Sequence, residues 1–147
     1  MTLAPIDAAI KKTIFTPMFT KTTSGVKVTA IPRFLPEHSE PDDDHYVWAY
    51  TIELENYNQV PVQLISRYWN ITDAGGLVQE VRGAGVVGEQ PVLQPGESYR
   101  YTSGTALHTP SGVMLGKYHM QAVGGDGFDI DIPAFSLDSP FITAMAN

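Results

Sequence analysis

Hydrophobic and polar residues alternate along most of the chain, and this alternation predicts β-strands. In HYVWAYTIELEN, residues 45–56, the apolar positions share one parity: Tyr46, Trp48, Tyr50, Ile52 and Leu54. The positions between them include Thr51, Glu53 and Glu55. A period of two places the two sets on opposite faces of a strand, so we expect one face to be buried and the other to be exposed.

Turn-forming sequences separate about seven such segments: GVKVTAIPRFL, HYVWAYTIELEN, PVQLISRYWNIT, LVQEVRG, YRYTSGT, GVMLGKYHMQAV and FDIDIPAF. The turns fall at NYNQ, DAGG, VLQPGES and GGDG. Short strands at regular intervals, without a segment of convincing helical periodicity, are typical of an all-β fold. We therefore expect an immunoglobulin-like or fibronectin type III-like β-sandwich of about seven strands in two antiparallel sheets.

Three details of the pattern add to this prediction. The apolar parity slips between Leu64 and Ile65, which indicates a bulge or a change of sheet within that strand. Trp69 lies on the third predicted strand, where sandwich domains bury a tryptophan between their sheets. Tyr118 precedes Met120 by two residues, the spacing of the tyrosine corner in antibody domains.

The composition and charge of the chain argue against some classes of binding partner. A chain of 147 residues suits one domain with one core, and the absence of cysteine fits a reducing compartment. The formal net charge is −7, and residues 34–147 hold four Lys or Arg against fifteen acidic residues. This balance argues against a nucleic-acid partner. The sequence shows neither a secretory signal pattern nor an apolar run long enough to span a bilayer, so we expect a cytoplasmic protein without a membrane partner.

The stretch VRGAGVVGEQ, residues 81–90, carries the spacing G-x-G-x-x-G. Pro91 and Pro95 follow it, so a long helix cannot start there and the dinucleotide-binding interpretation fails. Two interpretations remain open. The glycines either provide positive φ angles in a long connection, or present backbone N–H groups to an anion. The residues of this candidate anion loop are Arg82, Gly83, Gly85 and Gly88.

Other charged residues offer weaker candidates. Arg67 and Arg82 could form an anion clamp across the hairpin, with a cross-strand pairing to Glu80 or Glu55 as the favoured alternative. Asp129 and Asp131 alternate on one strand and are interpreted as solvent-facing. Neither G-x-S-x-G nor another nucleophile–base pattern involving His108 or His119 is found in the sequence, so no catalytic residues are predicted.

Residues 37–45 form an acidic segment that also contains two imidazoles. Carboxylate oxygens suit Mg²⁺ and imidazole suits Co²⁺, so the segment is a candidate divalent-cation site. The competing and favoured interpretation is a solvated acidic loop. The candidate ligands are Glu37, His38, Asp42, Asp44 and His45. No other cofactor is expected.

Several long runs resemble the bacterial ApaG family, which is also called CorD. They are YVWAYTIELEN, GKYHMQ, IPAFSL and above all WNITDAGGLVQEVRGAGVVGEQPVLQPGESYRYTSG. The resemblance covers residues 22–138, which leaves residues 1–21 as an N-terminal extension and 139–147 as a C-terminal tail. It implies a fibronectin type III-like sandwich, an association with cobalt tolerance and magnesium efflux, and no agreed enzymatic reaction. It also places the family's proposed pyrophosphate-binding element at Gly83, Gly85 and Gly88.

Two functional hypotheses follow from the residues and the resemblance together. The first is a non-enzymatic binding module that engages a protein partner. The alternative is a binder or hydrolase of a pyrophosphate-containing small molecule, centred on residues 82–88. Because exposed edge strands of a sandwich can pair, a homodimer is also considered.

Overall fold

Nine strands make up most of residues 17–142, which are the residues described by the computed structural model. Two single 3₁₀ turns, Pro36–His38 and Pro41–Asp43, are the other regular elements of this part of the chain. The strands are β1 (Phe19–Thr23), β2 (Val26–Phe34), β3 (Tyr46–Asn56), β4 (Val62–Asp73), β5 (Val78–Ala84), β6 (Val92–Leu93), β7 (Ser98–Leu107), β8 (Ser111–Ala122) and β9 (Gly127–Asp138).

The strands form two antiparallel sheets, which confirms the predicted fold class. One sheet has the order β1-β2-β3-β7, and the other has the order β5-β4-β8-β9 with β6 paired to β4. The sequence predicted about seven strands, and the additional two are β1 and β6. Strand β1 (FTKTT) is an exposed edge without apolar alternation, and β6 spans two residues, so neither carries a period-two signal.

The predicted extension and tail are described only in part. Strand β1 begins at Phe19, inside the segment predicted as an N-terminal extension, and residues 1–16 lie outside the described part of the chain. Strand β9 ends at Asp138, the predicted end of the domain. Of the predicted tail, residues 143–147 also lie outside the described residues. No helix found in residues 17–142 is both long and apolar enough to cross a bilayer.

The core fills the space between the two sheets, as the alternation predicted. Every even-numbered residue of β3 from Tyr46 to Asn56 is buried. Trp69 of β4 is 2% exposed and packs edge-on against Tyr50 and Phe135, with ring centroids 5.2 and 5.9 Å apart. These contacts come from both sheets, which confirms the expectation that Trp69 is buried between them.

The parity slip marks a true irregularity in β4. The register between β4 and β8 shifts between Leu64 and Ser66, so a bulge lies at Ile65. Before the bulge β4 pairs with β6, and after it β4 pairs with β5. The bulge therefore coincides with a change of partner strand, and it places Arg67 on the inward parity shared by Trp69.

Tyr118 differs from a tyrosine corner in its hydrogen-bond partner. Its side chain is fully buried on β8, and its hydroxyl lies 2.5 Å from the hydroxyl of Tyr101 on β7. The bond joins the two sheets, whereas a tyrosine corner bonds to nearby upstream backbone. Burial raises the pKa of both hydroxyl groups well above their usual value, so both stay protonated.

Candidate functional site

Each glycine of the G-x-G-x-x-G stretch is explained by a different local feature of the structure. Val86 and Glu89 exchange two backbone hydrogen bonds of 2.8 Å, and the intervening Val87 and Gly88 have φ of 44° and 79°. Two consecutive positive φ values are typical of a type I′ hairpin turn. Gly85 has φ of 61°, and a Cβ there would collide with the carbonyl oxygen of Glu89. The stretch is therefore a tight hairpin that follows strand β5.

Three backbone N–H groups of this hairpin, those of Gly85, Val86 and Glu89, already donate hydrogen bonds within the protein. The Gly85 N–H donates to the carbonyl oxygen of Ile65 at 2.8 Å, and the Val86 N–H donates to Glu89. The absence of a side chain at Gly83 leaves room for the guanidinium of Arg67, because a Cβ at Gly83 would lie 2.7 Å from Nη1 of Arg67. The geometry accounts for all three glycines without an anion, and anion binding by the loop stays a prediction.

Arg67 and Arg82 do not form a clamp across the hairpin. Arg67 has the inward parity of Trp69, and its Nη1 donates to the carbonyl oxygens of Ala84 and Gly85 at 3.1 and 2.9 Å. Arg82 lies directly opposite Tyr68 on the outward face, with its guanidinium 4.6 Å from the ring centroid. It pairs with Glu80 at 3.6 Å, and because both residues lie on β5 this is a pair along one strand and differs from the cross-strand pairing that was favoured.

A cleft of about 350 Å³ opens between the sheets beside the hairpin. It is lined from both sheets, and we call it the inter-sheet cleft. Arg67 is its one cationic lining residue. Burial raises the pKa of Tyr50 and Tyr101, so their hydroxyls remain protonated there. Ser103 and Gly88 also line this cleft.

The outward face of the five-stranded sheet combines apolar and cationic side chains in adjacent rows. Two rows of residues run across the neighbouring strands β5, β4 and β8. One row is Val78, Thr72 and Val113, and the other is Arg82, Tyr68 and Lys117. Leu115 falls in the row between them, opposite Asn70. Val78, Val113 and Leu115 are 53%, 44% and 44% exposed. We call this surface the apolar–basic face, defined by Tyr68, Val78, Arg82, Val113, Leu115 and Lys117.

A shallow cavity of about 250 Å³ lies at the basic end of this face, and we call it the outer dish. Ser66 and Ala84 are small residues opposite each other in register, with the larger Tyr68, Arg82 and Lys117 in the adjoining row. Large side chains beside small ones leave a depression in the sheet surface. The polar and aromatic residues that line the dish are Ser66, Arg67, Tyr68, Arg82, Lys117, His119 and Asp129.

His119 and Asp129 form a pair that sequence reasoning missed. Nδ1 of His119 lies 2.8 Å from Oδ1 of Asp129, and a Cβ at Gly127 would lie 3.0 Å from the imidazole. The sequence offered no partner for His119 and assigned Asp129 to solvent. Counting back along β8 and forward along β9 from the GGDG turn places the two residues opposite each other, which is the signal that could have found the pair.

The acidic segment 37–45 folds as two 3₁₀ turns closed by backbone bonds between Glu40 and His45. Asp44 takes a left-handed conformation with φ of 52°. Nowhere in residues 17–142 do three or more His, Asp or Glu side chains converge on a position for a metal ion. The candidate ligands Glu37, His38, Asp42, Asp44 and His45 are thus not gathered into a cluster, and metal binding there stays a prediction.

Comparison with known proteins agrees with this fold and sequence. A sequence profile of the ApaG domain matches residues 36–122. Protein ApaG of Paramagnetospirillum magneticum is 57% identical over 123 residues, which cover 84% of this chain and 95% of that protein. Protein ApaG of Methylocella silvestris is 50% identical over 130 residues, which cover 88% and 100% respectively. The crystal structure of the putative ApaA protein from Bordetella pertussis is 49% identical with a TM-score of 0.76, and the match covers 78% of this chain and 94% of that one.

Two antiparallel sheets around one aromatic core define the chain as a small β-sandwich domain. The chain belongs to the ApaG family, because the domain profile covers more than half of it and relatives with about half of their residues identical cover most of it. The resemblance stated from the sequence is therefore confirmed.

Proposed function

We propose that the protein is a non-enzymatic binding module that docks a protein partner on its apolar–basic face. The observation that carries this proposal is the group of exposed Val78, Val113 and Leu115, which stand in two adjacent rows beside the cations of the same face. Contiguous exposed apolar side chains with a polar margin are typical of protein interaction sites. In this proposal the association with cobalt tolerance and magnesium efflux operates through the partner.

The charge of the face indicates the chemistry of the partner. The chain carries a net charge of −7, yet Arg82 and Lys117 flank Tyr68 on this one surface. Complementary charge steers association and suppresses wrong partners more than it adds affinity. The partner is therefore expected to present apolar side chains next to acidic ones.

The rigidity of the face also supports docking. Its side chains stand on β4, β5 and β8, which pair over most of their length, and none of them depends on a loop conformation. A preorganised surface loses little conformational freedom on binding, so more of the contact energy contributes to affinity. The sheet is thus a suitable scaffold for a partner of fixed shape.

A charge-introducing variant tests the proposal. Leu115→Glu places a carboxylate among the exposed apolar side chains, and Thr102→Glu places the same group on an exposed position of the other sheet. A partner captured by the unmodified protein and by Thr102→Glu should bind Leu115→Glu at least about tenfold more weakly, because one desolvated charge costs more than about 1.4 kcal/mol. Equal binding to all three proteins would exclude this face as the docking surface.

The alternative function, binding or hydrolysis of a pyrophosphate-containing small molecule, rests on the inter-sheet cleft. Arg67 could offer its remaining guanidinium donors to an anion there, and the hydroxyls of Tyr50, Tyr101 and Ser103 lie around the same cleft. A ¹⁵N amide titration with pyrophosphate, with and without Mg²⁺, tests it. Saturable shifts confined to residues 81–90 and the cleft would support this function, and no shifts at millimolar pyrophosphate would contradict it.

A further inference from the structure

The outer dish contains a cation and a hydroxyl that the sandwich itself does not use. Lys117 lies opposite Asp131 in register, but Asp131 instead pairs with Lys21 at 3.0 Å. Within residues 17–142 the ammonium of Lys117 makes no ion pair, and the hydroxyl of Ser66 makes no side-chain hydrogen bond. These two groups point to a ligand that is both charged and able to accept a hydrogen bond.

The other polar groups around the dish are held in place by their neighbours. Tyr68 donates its hydroxyl to Oε2 of Glu80 at 2.7 Å, and the guanidinium of Arg82 stacks over the Tyr68 ring. His119 is oriented by Asp129 at 2.8 Å. The arrangement is preorganised, because the side chains at its edge already have fixed partners before any ligand arrives.

We infer that the outer dish seats a single carboxylate side chain of the protein partner, between Lys117 and Arg82 and beside the Ser66 hydroxyl. This inference rests on the proposed function and names the polar contact of the same face. Lys117 supplies the unpaired positive charge, Arg82 adds guanidinium donors, and Ser66 donates one hydrogen bond.

The charge around the dish favours a carboxylate over a phosphate group. Glu80 and Asp129 lie next to Arg82 and His119 and neutralise part of the positive charge. A carboxylate carries one negative charge, which suits this partly neutralised site better than a polyanion does. Pyrophosphate carries several negative charges, which the two flanking carboxylates would repel.

The experiment is a ¹⁵N amide titration with a capped tetraglutamate peptide. A capped tetraglutamine peptide is the neutral control, and pyrophosphate is the polyanion control. We expect saturable shifts around Ser66, Lys117 and His119 with tetraglutamate only. The affinity should fall at least threefold in Lys117→Met and stay unchanged in Arg100→Met, which removes the same charge from the other sheet.

Three results would overturn the inference: no shifts with tetraglutamate, equal losses in Lys117→Met and Arg100→Met, or tighter binding of pyrophosphate at the same amides. None of them would by itself contradict the proposed function. If Leu115→Glu still loses the captured partner while tetraglutamate does not bind, the docking face stands and only the carboxylate contact fails. If Leu115→Glu keeps the partner while tetraglutamate binds, the dish is an anion site outside the docking surface.

Discussion

The outward faces of the two sheets differ in the apolar surface that they expose: Val78, Val113 and Leu115 are exposed on the five-stranded sheet, and the strands of the four-stranded sheet carry none of the exposed large hydrophobic residues of the described part of the chain. On the four-stranded sheet, Glu53 lies opposite Arg100 and Glu55 lies opposite Lys27. Thr51 and Thr102 share a hydroxyl–hydroxyl bond of 2.8 Å. We call this surface the matched polar face, because groups of opposite charge stand opposite each other in register on it, although neither of these two pairs is close enough to form an ion pair within residues 17–142.

The apolar–basic face also sets a cation opposite an acid in register, Lys117 opposite Asp131, but it adds exposed apolar side chains. Leu115 and Val113 are both 44% exposed, and Lys117 makes no ion pair within the described residues. Both faces belong to one rigid sandwich and meet the same solvent, so the fold does not require the difference. A surface of polar and charged groups suits solvent, and a surface with exposed apolar side chains beside cations suits a partner.

The largest expected effect comes from one of two strand glycines, Gly116, which is buried on β8, whereas Gly104 is exposed on β7. Gly116 of β8 leaves no space for a Cβ, which would collide with the carbonyl oxygen of Tyr68, whereas a Cβ at Gly104 of β7 would lie 3.2 Å from the carbonyl oxygen of Trp48. Gly116→Ala should therefore lower the free energy of unfolding by about 2–3 kcal/mol. Gly104→Ala should lower it by less than about 1 kcal/mol. Urea unfolding measures both, and equal losses would show that the two sheets tolerate added volume alike.

A smaller effect is expected at the aromatic contact of the apolar–basic face. Tyr68→Phe removes the hydroxyl bonded to Glu80 and should cost about 0.5–1 kcal/mol of unfolding free energy. Tyr68→Leu also removes the ring beneath Arg82, which adds about 0.5–1 kcal/mol at an exposed site. The ring-current shift of the Arg82 side-chain resonances should survive in Tyr68→Phe and disappear in Tyr68→Leu. Its persistence in Tyr68→Leu would mean that Arg82 does not stack on the ring.

The smallest effects are expected when a cation is removed from either of the two faces. A double-mutant cycle of Glu53→Gln and Arg100→Met on the matched polar face should give a coupling of about 0.2–1 kcal/mol in unfolding free energy, reduced by salt. On the apolar–basic face, Lys117→Met should change the unfolding free energy by no more than about 0.5 kcal/mol. A destabilisation above 1 kcal/mol, roughly the upper bound for an exposed pair, would show that Lys117 has a structural partner after all.

Much of this architecture was predictable because apolar and polar residues alternate along a half-buried strand, and the alternation shows which face of the strand is buried. The alternation in β3 identified its buried residues, and the slip at Leu64 and Ile65 located the bulge in β4. Strands β1 and β6 were missed because an exposed edge and a two-residue strand bury too little to impose a period. The period-two alternation arises from the burial of one strand face, so a strand without a buried face does not show it.

The candidate site was less predictable, because it depends on which strands are neighbours. The sequence drew attention to Arg67 and Arg82 as a pair, but register after the bulge places them on opposite faces of the sheet. It also treated His119 and Asp129 as separate residues, although strand pairing brings them to 2.8 Å. A shift of one residue moves a side chain to the other face, and composition alone does not define that shift.

The sequence by itself determined the all-β class, the antiparallel sandwich, the buried parity of its longest strands and the family. Those features follow from local alternation, turn residues and long matching runs. Only the tertiary structure decided that the cations of β5 and β8 flank Tyr68, and that Val78, Val113 and Leu115 continue the same surface. The reason is physical: a face is assembled across strands distant in sequence, and its composition appears once their register is set.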